Sequence, residues 1–162
     1  MAFDIKQTPS DLEDEKSALT AKVLGPGRFV RMAERLRENN HQITELNFCA
    51  ISEEGMIGGI SYWPIQIGAT SALLLGPLVV SPAWQGKGVG RGLIATSLAA
   101  AEKLGHELVL LVGDLSYYSA SGFITAPEGL ICPVPVDERR LLVYEMKPGL
   151  AAQLSGKVRA AR

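Results

Sequence analysis

The residues best suited to chemistry run from Leu78 to Leu93, through Ser81-Pro82-Ala83-Trp84-Gln85-Gly86-Lys87-Gly88-Val89-Gly90-Arg91-Gly92. An apolar stretch delivers the chain to a glycine-rich turn, and a pattern of helical spacing starts directly after it. Glycines carry no β-carbon, so backbone amides can come close to a ligand there, and amides in a helix's first turn have no acceptor within the helix. With the helix dipole added, the turn is an anion site suited to a pyrophosphate. Lys87 and Arg91 can add charge or simply face water. Spacing separates the phosphate-binding patterns. A P-loop needs glycine where Ser81 stands and Ser or Thr where Gly88 stands. A dinucleotide fingerprint begun at Gly86 ends on Arg91, and one begun at Gly88 ends on Leu93. One begun at Gly90 ends on the tolerated Ala95, but inside the helix. The pattern that fits is Gln-x-x-Gly-x-Gly, written by Gln85, Gly88 and Gly90.

Positioning that turn takes a strand before it and a helix after it. Ala72 to Val80 is almost wholly apolar, as for a strand buried on both faces, and Gly76-Pro77 interrupts it. Pro77 lacks an amide donor, which would help part this strand from its neighbour. Leu93, Ile94, Leu98, Ala101 and Leu104 give a helix over Val89 to Leu104, with Gly105 as its stop. Glu107 to Val112 reads as a second buried strand, parallel to the first because a helix connects them. A short helix around Ser116 to Ser121 follows, then a strand entered through Gly122-Phe123-Ile124-Thr125.

The remaining elements frame this unit. Phe3 to Gln7 alternates like a strand, and Ser10 can cap a helix running to about Leu24, where Gly25-Pro26-Gly27 breaks it. A second helix carries Phe29, Val30, Met32, Ala33 and Leu36 on one side and Arg28, Arg31, Arg35 and Arg37 on the other, which reads as a solvated face. Leu46 to Ile51 and Met56 to Ile67 form a hairpin about Glu53-Glu54-Gly55, with Pro64 marking a bulge or an edge. Leu141 to Met146 is a further strand, and the tail Ala151 to Arg162 is expected to be partly loose. With no repeat or linker, residues 1–162 read as a single domain.

Composition narrows the function classes. Among 162 residues, 47% are apolar and 20% charged, a globular balance, and the formal charge of −1 offers no overall positive field for nucleic acid or an anionic membrane. Cys49 and Cys132 sit among apolar neighbours, as buried thiols of a reducing cytosol would. His41 and His106 lie far apart without cysteine partners, so no metal site and no histidine-based hydrolase is indicated. The absence of a leader pattern or a long apolar run points to a cytoplasmic protein.

At the glycine turn the sequence resembles the GNAT superfamily of N-acetyltransferases. The resemblance continues in Gly113-Asp114-x-x-Tyr117-Tyr118-x-x-x-Gly122-Phe123, similar to that family's Tyr-x-x-x-Gly-Phe segment, and Gly76-Pro77-Leu78 and Lys147-Pro148-Gly149 resemble the YhbS-like bacterial members. It implies a mixed, mostly antiparallel α/β sheet with a splayed parallel strand pair and helices on both faces. It implies that Leu78, Val79 and Val80 pair with the pantetheine arm of acetyl-CoA, and that amides from Gln85 through Gly86, Lys87, Gly88, Val89 and Gly90 to Arg91 hold the pyrophosphate. An amide near Leu78 or Val79 would polarise the thioester carbonyl for direct attack by an amine, a small molecule or a protein group. Tyr118 stands at the position of the family's general acid. Tyr117 is expected to pack beside the cofactor, and Asp114 to cap the short helix. Many relatives carry a Glu on the strand before the turn; Ala72 to Leu78 has no acid, and Glu45, Glu53 and Glu54 are candidates for the base by charge alone. A homodimer is compatible with the resemblance. A non-catalytic acyl-CoA sensor would share the turn but would have no need of Tyr118.

Overall fold

The apolar runs assemble into a sheet in the computed structural model, which describes residues 2–25 and 32–161. Its strands are β1 (Asp4–Gln7), β2 (Phe48–Ser52), β3 (Gly55–Ile67), β4 (Thr70–Val80), β5 (Leu108–Val112), β6 (Ile124–Thr125), β7 (Leu130–Ile131), β8 (Leu141–Glu145) and β9 (Gly156–Ala160). The main order is β1-β2-β3-β4-β5-β8-β6, with β9 beside β3 and β7 beside β9. Along that main order β4–β5 is parallel and the other pairings are antiparallel. The mixed, mostly antiparallel sheet is therefore as expected.

Helices lie against both faces. They are α1 (Glu13–Leu24), α2 (Met32–Arg37), α3 (Val89–Lys103) and the single turn α4 (Leu115–Tyr118). The α3 helix buries Val89, Leu93, Ile94, Leu98 and Ala101 in a cluster with Leu73 and Leu75 of β4 and Val109 and Leu111 of β5. The alternate residues Ala72, Leu74, Leu108 and Leu110 join Met32 and Leu36 of α2 in a second cluster. Each central strand thus buries both its faces, which is why these runs show no polar alternation.

Two features shape the site end of the sheet. First, Leu75 faces Tyr62 and Leu78 faces Ile60, so Gly76 and Pro77 together stand opposite the single residue Ser61. This is a bulge in β4. Second, β4 and β5 pair only at Leu73↔Val109 and Leu74↔Leu110, and the strands part before the bulge. The expected separation near Pro77 is present.

Gly58 and Gly59 let two helices approach β3 from opposite faces. A β-carbon on Gly58 would stand 2.9 Å from Val89 Cγ1 of α3, and one on Gly59 would stand 2.9 Å from Lys16 Cε of α1. Lys16 is buried, and its ammonium donates to Ile60 O at 2.8 Å, to Ser61 Oγ at 2.7 Å and to Asn47 Oδ1. Burial outweighs the nearby Glu13 carboxylate and lowers the Lys16 pKa from 10.5 to about 8. Between those values the unfolded chain binds more protons than the folded one, so folding gains stability as pH rises through that window. From about pH 7.5 to about pH 10 the wild type should gain about 2 kcal/mol relative to Lys16→Met in paired urea titrations. Parallel stability curves would refute this.

Several expectations need correction. Ser10 lies in a short 3-10 turn, Ser10–Leu12, and α1 starts after Leu12 without a side-chain cap. The tail expected to be loose contains β9, which pairs with Ile65, Gln66 and Ile67 of β3 and is anchored by buried Val158. A small apolar count hid this strand in the sequence. Pro64 does sit at an edge of sorts: β2 leaves β3 at Ile60 and β9 joins at Ile65, and the Pro64 carbonyl is met there by Ala161 N and the Asn40 side chain. Arg28, Phe29, Val30 and Arg31 lie outside the described residues.

Candidate acetyl-CoA and acceptor site

The glycine turn is held from two directions. Pro82–Trp84 forms a 3-10 turn after β4, and buried Trp84 donates its indole N–H to Glu54 Oε2 at 2.9 Å. The Gln85 side-chain amide donates to Val80 O at 3.3 Å, tying the turn to the end of β4. Gly86 and Gly88 have φ of +78° and +87°, conformations that L side chains rarely adopt, and Gly88 is the N-cap of α3. Gly90 is fixed by close approach instead, since a β-carbon there would stand 2.3 Å from the Tyr117 hydroxyl. The amides opening α3 lack helical acceptors and are ready for an anion.

A cleft of about 430 Å³ follows this frame. It is bounded by Leu78–Val80, by Gln85, Gly86 and Gly88–Arg91, and by Tyr117 and Tyr118. Lys87 is absent from that lining. A second cleft of about 610 Å³ begins where the strands part, with Gly76, Pro77 and Leu78 on one side, Gly113 and Asp114 on another, and Arg37 and Arg140 at its rim. Leu78, Tyr117 and Tyr118 border both clefts and so mark their junction.

The two tyrosines are locked by packing. The Tyr118 ring lies against Gly113, where a β-carbon would stand 2.5 Å from Tyr118 Cε2. It packs edge-on to Tyr117 at 4.9 Å and to Phe123 at 5.6 Å between ring centres. Burial, aided by Tyr117 and Asp114 and opposed by Arg140, pushes the Tyr118 phenol up to about 12. The phenol is therefore protonated at neutral pH. The Arg91 guanidinium stands 5.2 Å over the Tyr117 ring.

Asp114 departs from its expected role. It occupies the N-cap of α4 but makes no side-chain cap bond, and its carboxylate faces Arg140 Nε at 3.5 Å. It borders the second cleft and not the first. None of Glu45, Glu53 and Glu54 lines either cleft, and Glu54 is engaged with Trp84. Arg37, read as part of a solvated stripe, instead reaches the β4 bulge. Its sole sequence signal was its place directly after Leu36, at the border of the apolar face.

Sheet, splay and turn together define a class, and comparison with known proteins agrees with it. Residues 44–125 match the acetyltransferase (GNAT) domain family, half of the chain, and the chain belongs to that family. It is 26% identical over 132 residues to the uncharacterized N-acetyltransferase YhbS of Escherichia coli K12, covering 79% of this chain and 78% of that one. It is 34% identical over 93 residues to the uncharacterized N-acetyltransferase YjhQ of the same strain, covering 54% of this chain and about half, 51%, of that relative's length. The fold is that of the crystal structure of E. coli YhbS in complex with CoA, with a TM-score of 0.78 at 24% identity over 99% of this chain and 89% of that one. A GNAT acetyltransferase from Brucella melitensis in complex with acetyl-CoA gives a TM-score of 0.73 at 24% identity, covering 99% and 96%. Among the described residues no helix is long and apolar enough to cross a membrane.

Proposed function

We propose that the chain transfers an acetyl group from acetyl-CoA to a primary amine by direct attack within a ternary complex. The observation that carries this reading is the meeting of two clefts at Leu78 and Tyr118, one floored by free helix amides and the other open where β4 leaves β5. In this reading amides of the turn from Gln85 to Arg91 hold the pyrophosphate, and the end of β4 from Leu78 to Val80 aligns the pantetheine arm. Lys87 contributes charge from outside the cleft lining.

The amine nitrogen forms a bond to the thioester carbonyl carbon as an amide near Leu78 or Val79 stabilises the developing oxyanion. The C–S bond then breaks, CoA leaves as a thiolate, and the nitrogen gives up its proton to solvent. Tyr118 donates a hydrogen bond to the departing sulfur. With its phenol near 12 and an ordinary thiol near about 8.5, complete proton transfer runs uphill, so the contribution is charge stabilisation in the transition state. Holding both substrates across the junction supplies much of the remaining rate.

Calorimetric titration with acetyl-CoA, followed by an assay of CoA thiol release on addition of primary amines, tests this reading. Saturable acetyl-CoA binding with amine-dependent thiol release is expected. Binding without release from any amine would favour a sensor, and no binding would overturn the reading entirely.

A further inference from the structure

Arg37 has an unusual place for a surface-helix arginine. It ends α2 with a side chain only 10% exposed, and its Nη1 stands 3.6 Å from where a β-carbon on Gly76 would be. Its ion pair with Glu34 uses Nη2, at 2.5 Å. Among the described residues, Nη1 and Nε have no hydrogen-bond partner. Arg37 borders the second cleft and also an adjoining cavity of about 370 Å³ between α1 and α2.

A guanidinium stays charged at any working pH, and Nη1 and Nε, unpartnered but not fully buried, leave it open to an anionic group in the cleft. Its planar fork matches a carboxylate, and Glu34 occupies one nitrogen of that fork while leaving the part over the bulge. A group bound there would lie beside Gly76-Pro77, two residues from Leu78. A purely cationic acceptor would instead meet a like charge at that point.

We infer that the acceptor is a small amine that also carries a carboxylate, an amino-acid-like molecule held by Arg37 with its amine directed toward Leu78. This rests on the acyltransferase reading above. Arg140, on another part of the rim, faces Asp114 at 3.5 Å and is the weaker anchor, being half exposed.

The test compares amino acids with their decarboxylated amines in the thiol-release assay: histidine with histamine, tyrosine with tyramine, and lysine with cadaverine. In at least one pair the amino acid should have a kcat/KM about 30-fold or more above its amine, the range of a charge-assisted hydrogen bond. In Arg37→Gln that ratio should fall toward unity, chiefly through KM for the amino acid, and Arg37→Lys should restore part of it. Acetyl-CoA titration of each variant separates a lost acceptor contact from a lost fold. Equal or reversed preference in every pair, or no turnover of any amino acid while acetyl-CoA still binds, overturns the inference alone. Failure of the wild type to bind acetyl-CoA overturns the acyltransferase reading beneath it as well.

Discussion

Gly88→Glu should lower acetyl-CoA affinity at least about 100-fold while leaving the protein folded. Gly88 adopts φ +87°, and a β-carbon there would meet nothing within 4 Å. A side chain at this position therefore has room and costs the fold mainly the strain of a left-handed residue, about 1–2 kcal/mol. An acid at a helix N-terminus partly offsets that cost through the dipole. The same carboxylate would stand at the mouth of the amide cradle, compete for its N–H groups and repel a pyrophosphate. Gly88→Ala carries the strain without the charge and should bind far better than the Glu variant. Calorimetry on the three proteins, with melting curves to verify folding, checks this. Equal affinity in Gly88→Glu and wild type would place the pyrophosphate elsewhere.

Tyr118→Phe should lower kcat about 100-fold, the effect of losing one hydrogen-bond donor to developing charge, with acetyl-CoA affinity changed by less than about twofold. The phenylalanine ring keeps the contacts with Gly113, Tyr117 and Phe123, so the substitution removes the hydroxyl and little packing. Since the phenol is raised to about 12, it remains a donor through the range near 10 where an ordinary tyrosine ionises. Wild-type activity should therefore show no loss near pH 10 attributable to this group. An unchanged kcat in Tyr118→Phe would remove Tyr118 from the chemistry and leave it a packing residue.

The glycine turn and the strands flanking it were legible because each carries a signal that elementary chemistry dictates. Gly86 and Gly88 meet a need for positive φ, Gly90 makes room for Tyr117, and β4 from Ala72 onward and β5 are almost wholly apolar because both faces are covered. The tail was misread because Gly156–Ala160 is held by ladder bonds to β3, which leave little trace in side-chain pattern, and by the single buried residue Val158. Arg37 was misread for a different reason. Its burial depends on where α2 sits over the bulge of β4, a tertiary fact that helical spacing alone does not contain. Asp114 shows the same limit: its position fits a cap, but Arg140, distant in sequence, decides where the carboxylate turns.

The bulge at Gly76-Pro77 has a bearing on how this chain can vary. Before it, Leu73 and Leu75 face α3; after it, Leu78 and Val80 do. The odd-to-even change means that one extra residue resets which side of the strand is which. Loss of a single codon here would leave one residue opposite Ser61, and Leu78 and Val80 would still face α3 on a strand that had lost its bulge. A straightened bulge at unchanged length is what would turn Leu78 and Val80 toward α2, so the strand's facing depends on Gly76 and Pro77 sharing one slot. Descendants of this chain can thus lose one of these two residues and keep the facing of Leu78 to Val80, giving up only the local bend.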